Sequence, residues 1–446
     1  MIPSIDTLRR TLDQMITCKG TQGHDVAGLH TELKRLPDSY DALVAFEARI
    51  VDAPLREDWP YEEPNDLAGI QAASAGDRET GQTGSIAPVA AVDKARTAFH
   101  GAVCGCMLGK PVECNPTLDQ LREAGEKVGQ WPLDDYITEA FLQALGRGHG
   151  SHGETCRDTI AWVAPDDDIN YTIMGMLMLE NHGVGFTRPQ LCDAWLHNLP
   201  PLWTFGPERT FLLKAGMQSV YGVGSGDEDS LDAFTARWNP NDEACGAAIR
   251  VDAYGYACPG QPALAAELAW RDAGMTHNRT GIYGAMFVGA AIAAAFVAES
   301  PMAIFREALK HVPQKSRFFE IVADSYEMVD AASDWLEGYR AINAKYGQYG
   351  HCQIYQESAL LINSAKFATS VDDGFCKQVM SGADTDCYGE IIGSILGAYY
   401  GPGHLDPRWL APFGNRLHTS LASFHEQDLA KVAERMAQLP KLTLVG

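Results

Sequence analysis

Apolar side chains recur along this chain at intervals of three and four residues, the spacing that gathers them on one side of a helix. Ile5, Leu8, Leu12 and Met15 form one such stripe, with Ser4 where an N-cap belongs and Gly20 where a helix would stop. Near position 93 the segment DKARTAFHGAVCGCMLG predicts a second helix, whose Ala98, Gly101, Ala102 and Gly105 would let a neighbour approach closely. The same pattern predicts helices over about 169–181, 208–220, 283–298, 302–311, 317–345, 356–368, 385–400 and 424–438. Runs that alternate apolar and polar are scarce, so the expected fold class is all-α.

Residues 280–298, TGIYGAMFVGAAIAAAFVA, carry no charge over nearly the ~20 residues that cross a bilayer. The run is built from Ala and Gly where lipid-facing helices favour Leu, Ile and Phe. A helix buried on every side within a large helical protein is therefore expected, with no membrane contact. Residues 74–88, SAGDRETGQTGSIAP, are rich in Gly, Ser, Thr and charge and read as a linker. It separates an N-terminal helical appendage, residues 1–90, from a main body, residues 91–446. Trp59, Tyr61 and Leu67 stand before it, and the preference of such groups for burial predicts an appendage packed on the body.

Composition narrows the functional classes. The net charge of -23, from 58 acidic and 35 basic residues, repels a phosphate backbone and an anionic membrane surface, which argues against extended nucleic-acid binding. An anionic ligand would need a locally inverted field, and a bound metal ion provides one. The opening MIPSIDTLRRTLDQM lacks the basic-then-apolar order of a secretory signal, and the 11 cysteines are scattered. They read as free thiols in a reducing cytoplasm. Cys104 and Cys106, two positions apart on a helix, point in different directions and predict no zinc site there.

The strongest local signal is Asp166-Asp167-Asp168, which opens directly into the apolar helix INYTIMGMLMLENH before Gly183. Adjacent carboxylates repel, while a helix N-terminus favours ionised ones, so the run keeps oxygen ligands ready for a hard cation. For the run taken alone, an Asp N-cap with two solvated neighbours is the simpler account. A second acidic helix mouth, Asp384 and Asp386, leads into a segment whose Gly389, Gly393, Ser394 and Gly397 permit close packing, so the two mouths could converge. Neither fits an EF-hand: Tyr171 and Leu177 fall where that loop needs Gly and Glu. GCMLGKPVEC at 105–114 is no phosphate loop, because Pro111 takes the place of the magnesium-binding Ser or Thr. Glu113, on a loop just past a tightly packed helix, suits a general base beside activated water, and a surface loop acid is the plainer alternative.

Four segments taken in order, GCMLGKPVE at 105–113, DDDINYT at 166–172, MTHNRTGIYGAMF at 275–287 and GADTDCYGEIIGSILGAYYG at 382–401, resemble the ADP-ribosylglycohydrolases. The likeness runs from about 95 to 415. It implies a compact orthogonal multi-helix bundle around a dinuclear site of two magnesium or manganese ions, which hydrolyses the bond between ADP-ribose and an acceptor, including an ADP-ribosylated protein. By the same resemblance Asp166, Asp167, Asp168, Asp384 and Asp386 are metal ligands, and Glu113 is the family's catalytic loop glutamate, bound near the metals or to the water. His277, Asn278, Gly281, Tyr283 and Gly284 would line the substrate pocket. Arg250 and Asp252 could bind ligand or pair with each other. The chain departs from the family's pattern at Asp166 and Cys387, both threonine in the family, and at Cys106 in the usual Gly-Asp-Ala-Leu-Gly. Cys387 exchanges a hard ligand for a soft one. A non-catalytic ADP-ribose binder and a metal hydrolase of another glycoside remain as alternative readings.

Overall fold

The structure, a computed structural model, describes residues 3–218 and 228–444. Among them the chain is all-α, with 22 α-helices joined by short 3-10 turns, and β pairing is limited to isolated bridges. Six helices carry the argument: α1 (Ile5–Thr21), α2 (Pro88–Gly109), α3 (Asp167–His182), α4 (Thr280–Ala295), α5 (Ile354–Lys366) and α6 (Thr385–Tyr400). The expected starts and stops hold to within a few residues for most elements. Ser4 caps α1 by accepting from the Thr7 amide at 3.1 Å. Two expectations need correction. The helix foreseen over 317–345 is broken between Arg317–Ala331 and Trp335–Tyr346, because Asp334 accepts from the Glu337 amide and starts a new helix. The last helix begins at Leu429, where Asp428 caps it, and not at 424. The tail of the helix expected over 208–220 lies outside the described residues.

The centre of the body is an antiparallel pair, α2 against α6, packed on glycine. A β-carbon built on Gly105 would overlap the Gly389 carbonyl, and one built on Gly393 would overlap the Gly101 carbonyl. Gly109 and Gly397 are equally crowded, by Thr385 and Ala98. Each mid-helix glycine costs about 0.5–1 kcal/mol relative to alanine. The close backbone contact these glycines permit offsets that cost and fixes where the two helices end. Beside this pair, α4 is buried along its whole length. No described helix is long and apolar enough to cross a membrane.

The N-terminal helices have a small core of their own, formed by Leu12, Met15, Ile16, Leu33, Leu43, Phe46 and Ile50. They are tied to the body by charge. Arg317 pairs with Glu63 at 2.8 Å and with Glu243 at 2.6 Å, Arg237 with Glu47 at 2.5 Å, and the Gln22 amide donates to Asp242. Trp59 lies against the Arg317 guanidinium, and Leu67 packs on the main core. The 74–88 segment also lies on the body, where the Thr83 amide donates to the Gly260 carbonyl at 2.8 Å.

Candidate active site

Three acidic segments meet where α2 ends and α6 begins. The Thr385 hydroxyl donates to the Gly109 carbonyl at 2.8 Å, which seats the mouth of α6 against the turn Lys110–Val112 that leads to Glu113. Gly382, at φ +79°, passes so close to the Pro116 carbonyl that a side chain would not fit, and the Ala383 amide donates to that same carbonyl at 2.9 Å. The loop after Glu113 is thereby tied to the loop before Asp384. The mouth of α3 joins through Cys106, whose thiol lies 3.8 Å from Asp168 Oδ2.

Asp166 does cap α3, accepting from the Asp168 amide at 3.1 Å, as the simpler reading of the acidic run had it. The cap is not solvated, however: Asp166 is 3% exposed and Asp168 is fully buried. Asp384 and Asp386 are buried at the mouth of α6. The ammonium of Lys110, itself 6% exposed, sits among them. It lies 2.8 Å from Glu113 Oε2, 2.9 Å from Asp166 Oδ2 and 2.8 Å from Asp386 Oδ2. The spacing of three between Lys110 and Glu113 on a helical turn is what brings the ammonium to that carboxylate.

One ammonium does not balance this many carboxylates. Burial works to raise Asp386, but the Lys110 charge, with hydrogen bonds from Lys110, Glu113 and Asp384, brings it down to about 2. Burial and then the neighbouring carboxylates push Asp167 and Asp168 well above the ordinary carboxylate range, and burial, then Cys352 and Asp386, do the same to Asp384. Glu113 is also raised, first by burial and next by Asp386, with Lys110 opposing. A bound divalent cation would add the positive charge needed to keep this carboxyl ionised and able to accept a proton. The oxygens Asp168 Oδ1, Asp384 Oδ1 and Asp386 Oδ1 are buried with no hydrogen-bond partner among the described residues. Buried, unpartnered carboxylate oxygens in a field short of positive charge fit a divalent cation.

These groups open on a cavity of about 400 Å³ whose walls include Glu113, His149, Asp167, Phe205, Glu208, Asn241, Cys245, His351, Cys352, Asp384 and Cys387. Asp166, Asp168 and Asp386 stand behind that wall. The five residues expected to line the pocket from 277–284 are not among those around this cavity. His277 is fully buried, with Nδ1 2.8 Å from the Thr276 hydroxyl and Nε2 3.7 Å from Glu208 Oε1. Asn278 donates to Asp242, the Tyr283 hydroxyl donates to the Pro64 carbonyl, Gly281 lies against His277, and Gly284 leaves room for Ile354. This segment packs the wall from behind, because α4 is surrounded by other helices. Arg250 pairs with Asp272, and with Glu208 at 2.7 Å, not with Asp252.

Residues far apart in sequence and carrying no motif complete the site. Glu357, on α5, accepts from the Asp384 amide at 3.1 Å and is fully buried, which pushes its carboxyl upward. Cys245 and Cys352 both donate to Asp384 Oδ2, at 3.3 and 3.5 Å. No local signal marked them, since their function depends on which loops meet.

Comparison with known proteins adds three findings. A family model described as ADP-ribosylglycohydrolase matches residues 87–442. No curated protein gives a significant match. Among solved structures, one described as an ADP-ribosylglycohydrolase-related protein complex is 18% identical at a TM-score of 0.47, covering 80% of this chain and 100% of that one.

Proposed function

We propose that this chain, which belongs to the ADP-ribosylglycohydrolase family, is a divalent-metal-dependent hydrolase that frees an acceptor, such as an ADP-ribosylated protein side chain, from ADP-ribose in the cytoplasm. The observation that carries the reading is the convergence of Glu113, the Asp166–Asp168 run and the Asp384/Asp386 pair at one cavity. Asp166, Asp167, Asp168, Asp384 and Asp386 would hold two magnesium or manganese ions, which when bound supply the positive charge that binds ribose hydroxyls and stabilises developing negative charge.

The chain's own groups have distinct parts in this reading. Glu113 takes one proton of a water whose oxygen bonds to the anomeric carbon while the glycosidic bond breaks, and passes that proton to the departing acceptor. Lys110 fixes Glu113 through Oε2. Phe205, exposed on the cavity wall, offers a purine an apolar face to stack on. Asn278 acts by positioning Asp242, while His277, Gly281, Tyr283 and Gly284 shape the wall behind.

The test is release of free ADP-ribose from mono-ADP-ribosylated arginine and serine peptides, with magnesium, with manganese and with chelator. Metal-dependent release supports the proposal. ADP-ribose bound without turnover of any ADP-ribosylated substrate would favour a binding protein, and turnover only of other glycosides would reassign the substrate.

A further inference from the structure

Beside Asp384, the cavity wall is built of sulfur. Cys245 opens the turn Cys245–Arg250, Cys352 precedes α5, and Cys387 lies in the first turn of α6. Three distant parts of the chain thus deliver thiols to one place. Ligand atoms of Cys245, Asp384 and Cys387 all lie within 4.8 Å of one another, as do those of His351, Cys352 and Asp384. Every one of these residues lines the cavity.

The spacing suits a small cation. Ligands at about 2.0–2.3 Å around a tetrahedral zinc ion stand about 3.3–3.8 Å apart. The Cys245 and Cys352 sulfurs lie 3.3 and 3.5 Å from Asp384 Oδ2. Asp384 is 2% exposed and its Oδ1 has no hydrogen-bond partner among the described residues, so a buried oxygen beside the thiols stands unsatisfied. His351 Nδ1 is likewise buried and unpartnered among them. Thiolate and imidazole ligands select zinc and related borderline or soft cations over magnesium. At the carboxylate end of the cavity the opposite selection holds.

We propose that Cys245, Cys352 and Asp384, flanked by Cys387 and His351, form a thiolate-rich site for a zinc-like cation beside the carboxylates of this cavity. The proposal extends the reading of the cavity as a metal site and shares Asp384 with it, but its readouts require no turnover. Because the site opens on the cavity, the bound cation keeps a face toward the substrate, as catalytic zinc sites do.

The experiment uses the reduced, metal-free full chain titrated with cobalt and with zinc. About one equivalent of cobalt should bind with the near-ultraviolet absorption of thiolate-to-cobalt charge transfer, and zinc should abolish that band. Cys352→Ser and Cys245→Ser should each weaken zinc binding by more than about 10-fold, the lower end of what disturbing a metal site costs. Cys18→Ser, outside the cluster, should not. Should a serine variant fail to fold, wild-type protein still decides: zinc should protect Cys352 from alkylation, read by mass spectrometry. Cobalt bound without the thiolate band, zinc affinity unchanged in both variants, or Cys352 alkylated equally with and without zinc would each overturn the proposal. Failure to release ADP-ribose would bear on the proposed reaction alone.

Discussion

Replacing Lys110 with methionine keeps the aliphatic volume and removes the one ammonium that touches Glu113, Asp166 and Asp386. Breaking a buried pair from one side leaves uncompensated charge and costs about 3–5 kcal/mol. At ~2.1 cal/mol/K per residue, a chain of 446 residues unfolds with an entropy of ~0.9 kcal/mol/K, so the loss shows as a melting point lower by ~3–5 °C. The sign follows from Asp386. Its folded value of about 2 lies below the ordinary 3.8, so its contribution is present above about pH 4 and is lost as pH falls through about 2. The measurement therefore belongs at neutral pH, as thermal melts of both proteins in chelator and in magnesium or manganese. A divalent cation at 100 times its Kd stabilises by about 2.7 kcal/mol and should restore most of the deficit. The variant should gain more than the wild type, having lost a competing positive charge. An unchanged melting point in chelator, or a deficit untouched by cation, would refute the view that these carboxylates are short of positive charge.

Three other outcomes are expected. Glu208 is raised to about 7, chiefly by burial with Arg250 opposing, so folded protein holds a proton that unfolded chain has released. Its contribution should therefore fall as pH climbs from about 4.5 to about 7, by on the order of 3 kcal/mol. Denaturation in chelator across that window should show the slope, and Glu208→Gln should flatten it. Gly105→Ala places a methyl group against the Gly389 carbonyl and should cost about 1–3 kcal/mol of stability, together with activity, while Gly153→Ala, which meets nothing within 4 Å, should leave both nearly unchanged. Asp167→Asn should lower divalent-metal affinity and turnover together, as isothermal titration and ADP-ribose release would record; activity retained in chelator would contradict the mechanism.

The sequence by itself determined the helices, because a period of 3.6 and capping residues are local properties. Ser4, the apolar run of α4 and the glycine spacings of α2 and α6 were all legible there. The acidic helix mouths were equally plain, and four ordered segments carried the family. Only tertiary structure decided which groups share a space. Nothing local shows that Lys110 neutralises an aspartate at 166 and another at 386, since that contact follows from two glycine helices packing backbone to backbone. The same holds for Cys245 and Cys352, which meet at Asp384 from separate loops. His277 to Gly284 show the converse: a motif read along the chain predicts a pocket lining, whereas burial of α4 on every side turns those side chains toward Thr276, Asp242, Pro64 and Ile354. Hydrophobic periodicity specifies which face of a helix is buried, but the atoms against that face come from the rest of the chain.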